Sequence, residues 1–315
     1  MDGLLVIDKP VGPTSHGVVL RARRILGEPR IGHTGTLDPA ASGVLPLVIG
    51  RATRLARFLS SAEKSYEATI VLGVETDSYD SAGTEIASRR PGPLPDRETV
   101  DRALDAFRGE FSQQPPAYSA KKIGGERSHR LARRVDPERG PSASVRPAPV
   151  NVTVRRLDIL RLDRDRLTVR VDCSAGFYVR SLAQDLGTRL GTGAHLAALR
   201  RLRSGDLVLA SAVPLEVLEN DPRAARAAIV PLAGMLLTLG ALQLTEEGAF
   251  RASHGRDLGL EHVAGPVPAG LFLEGHDSAG ESTPPVRLMA PGGDLLGLAE
   301  PHCTQPVLHP FVVLM

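Results

Sequence analysis

Apolar and polar positions alternate along this chain with two different periods, and the switches between them outline its elements. Gly3 to Asp8 reads as a short buried strand, broken by Lys9-Pro10-Val11-Gly12-Pro13. Thr14 or Ser15 can cap a helix whose apolar residues Val18, Val19, Ala22, Ile25 and Leu26 share one face, with Gly27 as its stop. Arg30 to Gly43 follows neither period and reads as a loop, followed by a helix around Leu55, Phe58 and Leu59. Tyr66, Ala68, Ile70 and Leu72 alternate onto one face of a strand. Asp96 caps a predicted helix carrying Val100, Ala103, Leu104 and Phe107, with Gly109 at its end. Leu167, Val169, Val171 and Cys173 mark another strand. Ala175-Gly176 then turns the chain into a helix with Val179, Leu182, Ala183, Leu186 and Leu190 on its apolar side. From about Ala241 the pattern is one of strands and Gly/Pro turns, joined to the rest by the Ala-rich segment after Pro222. Antiparallel-looking strands with interspersed helices predict an α+β fold.

Composition narrows the function only by exclusion. The 315 residues are 42% hydrophobic and 23% charged, enough for a large core and ordinary for a globular chain. Cys173 and Cys303 form no disulfide framework, and the nine histidines suggest no metal site. No apolar run reaches membrane-spanning length, so a soluble cytoplasmic protein is expected. Net charge is only +2, but its distribution is uneven. Ser119 to Arg156 holds ten Lys/Arg against three acids, whereas the last 55 residues hold six acids and Arg287 as the one Lys/Arg. The basic stretch, opened by Pro115-Pro116 and loop-like with one short helix near Leu131, can track phosphates; the acidic tail is poorly suited to that.

The most unusual segment is Gly32-His33-Thr34-Gly35-Thr36-Leu37-Asp38-Pro39, continuing through Ala40 to Pro46. Pro39 restricts Asp38 to an extended conformation and stiffens the loop that carries it. An isolated Asp-Pro is ordinarily just a turn, and without a following Gly-Lys-Ser/Thr this is no phosphate loop. With Leu5 to Pro10 and Thr14-Ser15 upstream, however, it resembles the bacterial TruB family of tRNA pseudouridine-55 synthases. Further matching motifs follow in order: Lys64-Ser65-Tyr66-Glu67-Ala68, Gly73 to Asp77, Pro116 to Lys121, Cys173 to Leu182, Gly193-Ala194-His195-Leu196, and Leu199-Arg200-Arg201. The resemblance covers roughly the first 215 residues.

That resemblance implies a mixed, largely antiparallel catalytic sheet in residues 1–235. A basic insertion at about 119–150 and a small PUA-like β domain in residues 241–315 complete the expected organisation. The activity it implies is isomerisation of uridine 55 in the T loop of tRNA to pseudouridine. The N1–C1′ bond breaks and C5 bonds to C1′, so no cofactor is expected, and a carboxylate is needed as nucleophile or charge stabiliser. Asp38 matches the family's catalytic aspartate, Arg180 the arginine that holds it, and Asp80 an acid that helps hold the arginine. A neighbouring guanidinium favours the ionised carboxylate in a dry pocket. Arg180 also opens a predicted helix, where a cation is electrostatically misplaced, which hints at a role outside the helix.

Tyr66 matches the ring that stacks on the target base and is available for proton transfer, Tyr178 a second pocket wall, and Leu199 an apolar wall. By position alone Leu199 reads equally as a helix-core leucine. His33 matches a residue that fills the space left by the extruded nucleotide, and a flipped base needs such compensation. His195 is read as structural. Lys121, Arg133 and Arg134 are the expected contacts with the T arm, although Ser128-His129 departs from the Ala-Tyr pair common there. The expected partner is tRNA alone, bound by a monomer with no membrane and no protein partner. Two other readings compete. A tRNA-folding chaperone would share the groove without needing Asp38, and a glycoside hydrolase would need two facing carboxylates, nominally Asp38 and Asp80.

Overall fold

The structure, a computed structural model, describes residues 1–87, 93–119, 122–128, 147–267, 271, 284–302 and 305–315. In the main sheet the strands are β1 (Gly3–Lys9), β2 (Ile31–His33), β3 (Ala41–Ile49), β4 (Lys64–Leu72) and β5 (Gly109–Gln113). They continue with β6 (Val150–Asp163), β7 (Arg166–Cys173), β8 (Ala194–Ser204), β9 (Leu207–Val208) and β10 (Val213–Pro214). The spatial order is β10-β1-β3-β8-β4-β7-β6-β5, with β2 added to β3 and β9 to β8. Only β1 with β10 and β3 with β8 run parallel, so the sheet is mixed and largely antiparallel as expected. A separate four-stranded sheet, β11 (Ala241–Gln243), β12 (Val286–Met289), β13 (Leu295–Pro301) and β14 (Leu308–Val313), follows in simple order. Among the described residues no helix is long and apolar enough to cross a membrane.

Among the described residues the α-helices are α1 (Ser15–Leu26), α2 (Ala56–Ser60), α3 (Arg97–Leu104), α4 (Val179–Leu190), α5 (Leu215–Asn220), α6 (Pro222–Ala227) and α7 (Glu246–Ser253). Their termini follow the local chemistry. Thr14, not Ser15, caps α1, its hydroxyl accepting from Gly17 N, and Gly27 closes the helix at φ 70°. Asp96 caps α3 by accepting from the Thr99 N–H at 2.8 Å.

Burial on both faces explains the continuous apolar run of β1. Leu5 and Ile7 pack with Val18, Val19 and Ala22 of α1, while Leu4 and Val6 pack on the opposite side with Leu298 and Val312 of the second sheet. Each such side chain contributes about 1.5–3 kcal/mol of hydrophobic stabilisation. A third core forms between α3, α4 and strands β4, β6 and β7. Tyr66 and Leu199 touch both this core and the one under α1, so they mark the seam at mid-sheet.

Two expectations need correction. The segment Arg30–Gly43 is not wholly loop: Ile31–His33 pairs with the far end of β3, and Ala41 already belongs to β3. Of the two readings open for Leu199, the helix-core one falls away, because the residue is on β8. The Ala, Leu and Arg residues of that segment favour helix locally, but β8 is inserted between β3 and β4, where pairing on both sides overrides propensity. The short helix expected near Leu131 lies outside the described residues.

Candidate active site

The loop between β2 and β3 carries Asp38 at the mouth of a cleft of about 270 Å³. Asp38-Pro39-Ala40-Ala41 closes as a turn through the Ala41 N–H to the Asp38 carbonyl at 3.0 Å, with proline at its second position. Two anchors tie this turn to the segment before α1. Gly12 N donates to Pro39 O at 2.8 Å, and Ser15 Oγ both accepts from Leu37 N (2.8 Å) and donates to Leu37 O (2.9 Å). Because Thr14 does the capping, Ser15 is free for this buried clamp. Ser15→Ala is expected to lower stability by about 1–3 kcal/mol by orphaning buried peptide groups. It should also loosen the Asp38 loop; denaturant unfolding and amide hydrogen exchange at Leu37 would measure both.

Arg180 reaches Asp38 from the start of α4. Its side chain is only 7% exposed, and Nε lies 3.0 Å from Asp38 Oδ2 and 3.8 Å from Asp80 Oδ2. Nε makes no well-aligned hydrogen bond, so the contact with Asp38 is one of charge, while the two Nη atoms do the aligned bonding. Nη1 donates to Ser78 O (3.2 Å) and Nη2 to Tyr118 O (2.9 Å). A buried guanidinium is tolerable when its donors and charge are met in this way. The helix start that carries it is fixed by Gln113, whose side chain accepts from Tyr178 N (2.8 Å) and donates to Tyr178 O (3.0 Å).

Asp80 stands behind Arg180 and does not line the cleft. Its Oδ1 accepts from Ser78 Oγ (2.6 Å) and Ala82 N (3.0 Å), which makes it the centre of its own turn. Within that turn Tyr79 adopts φ 65°, a left-handed conformation costly for a tyrosine. The strain is held by Leu196 N donating to Tyr79 O at 2.9 Å, and it delivers both Ser78 O and Asp80 to the guanidinium.

Asp38, Tyr66, Tyr178, Arg180 and Leu199 all line the one cleft, and Asp38 is the only carboxylate among the described residues that do so. Tyr66 is half-buried on β4, and burial pushes its phenol above the usual value, with the Arg201 charge opposing. Burial likewise raises the Tyr178 phenol. Both rings are therefore neutral near pH 7.

His33 lies at the end of β2 and does not line the cleft. Burial, then the charges of Arg201 and His16, hold its imidazole below the usual value, so it too is neutral at pH 7. Lys121, Arg133 and Arg134 lie outside the described residues. His195 bonds through Nδ1 to Val74 O at 2.9 Å, in keeping with a structural role.

Sequence reasoning assigned no role to the cations beneath the cleft. Lys64 lines it with Nζ bonded to Ser60 O and Ala62 O, and burial lowers its ammonium to about 8. Lys9 is fully buried, bonded to Pro10 O (2.8 Å) and Pro13 O (2.9 Å); burial takes it to about 8, with Asp38 pulling upward. Their signal was present, since Lys64 has the same strand parity as Tyr66 and Ala68, a charge on an apolar face.

The geometry offers a single carboxylate, held by a guanidinium and walled by aromatic and apolar side chains. That arrangement suits nucleophilic or charge-stabilising work on a flat ligand. Asp80 meets Asp38 only across an adjoining pocket of about 10 Å³, which has no room for the sugar that paired carboxylates would hydrolyse.

Comparison with known proteins agrees. Residues 23–179 match the model for the TruB family pseudouridylate synthase N-terminal domain, and residues 180–237 that for the tRNA pseudouridylate synthase B C-terminal domain. The chain is 47% identical to tRNA pseudouridine synthase B of Solibacter usitatus, over 82% of this chain and 86% of that one. It is 39% identical to the protein of the same name from Ralstonia nicotianae, over 94% and 90%. Among solved structures, a chain from a Cbf5-Nop10-Gar1 complex superposes with a TM-score of 0.71 at 27% identity, covering 99% of this chain and 85% of that one. A loop-borne aspartate gripped by a buried arginine, two matching family models along the chain and such relatives lead to one conclusion: the chain belongs to the TruB family of pseudouridylate synthases and is an isomerase.

Proposed function

We propose that this enzyme converts uridine 55 in the T loop of tRNA to pseudouridine, with Asp38 as the catalytic carboxylate. The observation that carries this reading is the pairing of Asp38 with Arg180 at 3.0 Å inside the cleft that Tyr66 walls. A uridine stacked in a structured loop cannot bring C1′ and C5 to that carboxylate, so the nucleotide must be extruded first. Tyr66 and Leu199 then sandwich the base, Tyr178 closes one side, and His33, a neutral ring outside the cleft, fills the space that the extruded nucleotide leaves. The base is released from C1′ at N1, turns, and rebonds through C5. The C5 proton is lost and N1 gains one, so the reaction balances without any redox partner. The relatives' names supply the tRNA, and the motif resemblance supplies the T-loop position.

The test is incubation of purified protein with an unmodified tRNA transcript, followed by mapping of pseudouridine at single-nucleotide resolution. Modification at the T-loop uridine is expected; modification elsewhere only, or none, would refute the assignment. For the basic stretch we infer direct phosphate contact with the T arm. Changing Arg133 and Arg134 together to Ala is expected to weaken tRNA binding and lower the salt slope of log K by about 1 per lost phosphate contact. An unchanged slope would remove these residues from the interface. We further read the unit beginning at Ala241 as a PUA-like accessory to the same reaction. A chaperone that acts without chemistry would have no use for the Asp38–Arg180 pair.

A further inference from the structure

Arg201, near the end of β8, is the largest of the fully buried side chains, only 1% exposed, and among the described residues it forms no ion pair. A buried guanidinium without a carboxylate is costly, so its bonds should show what it is there to do. Nε donates to Val44 O at 2.7 Å and Nη2 donates to Gly35 O at 2.9 Å. These two carbonyls bracket Asp38 in sequence: Gly35 O is on the loop that carries it, and Val44 O is inside β3, just past the loop's end. The loop comes close to the fork at Gly35 (φ 140°), where an added Cβ would stand 3.3 Å from Arg201 Nη1. Gly43 (φ 102°), the register partner of Arg201 on β3, would bring a Cβ to 2.2 Å from the backbone O of Arg201, so there the two strands themselves are in close contact. On its other side Arg201 is the direct cross-strand partner of Tyr66, and its side chain lines the cleft beside that ring.

We propose that Arg201 is a positioning residue for the reaction assigned above: a planar fork that ties the Asp38 loop to β3 and registers that loop against Tyr66. The inference rests on that functional reading. A guanidinium suits the task because two of its nitrogens bond in one plane, which sets the distance and angle between loop and strand together; an ammonium is a single point. Ser15 pins Leu37 from the α1 side, so Asp38 is suspended between two clamps and Arg201 supplies the one that also touches the base-stacking ring.

The test compares full-length wild type, Arg201→Lys, Arg201→Met and Gly35→Ala in single-turnover modification of a tRNA transcript, with tRNA Kd and thermal unfolding measured alongside. Arg201→Met is expected to lose on the order of 10²-fold in rate, because small misplacements of a reacting group cost that much, with Kd within about twofold of wild type. Arg201→Lys should retain the charge yet remain about tenfold slow, for want of the second bond. Gly35→Ala keeps Arg201 but pushes the loop off its fork, and should slow the rate without weakening binding. If Arg201→Met does not fold, the other two variants decide the matter. Rates within twofold of wild type in folded Arg201→Lys and Gly35→Ala would overturn the proposal, as would losses that appear wholly in Kd. A wild type inactive on tRNA would instead overturn the functional reading beneath it.

Discussion

Asp38→Asn is expected to leave a folded protein that binds tRNA and forms no pseudouridine, with the rate down on the order of 10⁴-fold, the scale seen when an enzyme loses a group on which the chemistry depends. The amide matches the carboxylate in shape, and the turn that carries it is held by backbone bonds and by Ser15, none of which uses the Asp38 side chain. The carboxylate side chain is 40% exposed to the cleft, so its removal disturbs little packing. What disappears is an anionic oxygen able to bond to carbon or to face positive charge. Arg180 keeps Asp80 at 3.8 Å and its two carbonyl partners, which protects the fold. Pseudouridine mapping and filter binding on one preparation would separate chemistry from binding. Substantial modification by the variant would remove Asp38 from the mechanism, and loss of binding in parallel would assign the residue to recognition.

The second large effect is expected at Arg180. Arg180→Met strips the charge from between Asp38 and Asp80 and leaves Ser78 O and Tyr118 O without their donor. Removing one partner of a buried ionic cluster costs about 3–5 kcal/mol, so both stability and rate should fall. Arg180→Lys separates the two. A lysine restores a positive charge, but its single nitrogen cannot serve two carboxylates and two carbonyls arranged around a planar fork. Its stability should recover partly, while the rate stays about 10²-fold down because the carboxylate loses its fixed aim. Chemical denaturation with single-turnover rates would test this, and a lysine variant at wild-type speed would show that charge alone suffices.

Local rules were well read where the determining atoms are close in sequence. The caps at Thr14 and Asp96 involve side chains three residues from their partners. The apolar alternation of β4 and β7 and the face of α4 follow from periods of two and 3.6. The motifs around Asp38, Tyr66, Tyr178 and Arg180 carried the family resemblance, and the fold brings all four to one cleft. The failures share a cause. β8 is locally ambiguous, and only its neighbours β3 and β4 make it a strand. Thr14 and Ser15 were indistinguishable as caps until Leu37, 22 residues on, claimed the serine.

The sequence by itself determined the family, the helix ends and the strand faces, and it supplied the carboxylate proposed as catalytic, because each depends on short-range periodicity or on motif residues. Only the tertiary structure decided what holds that carboxylate in place: the strained turn at Tyr79 that delivers Asp80 to Arg180, the Ser15 clamp, and the buried cations under the cleft. Ser15 and Arg180 reach carbonyls 22 and 102 positions away, while Lys9 and Lys64 bond to carbonyls within four residues and owe their burial alone to the packed sheet. Burial makes each polar group choose a specific partner, and the choice exists only once the strands have been brought side by side.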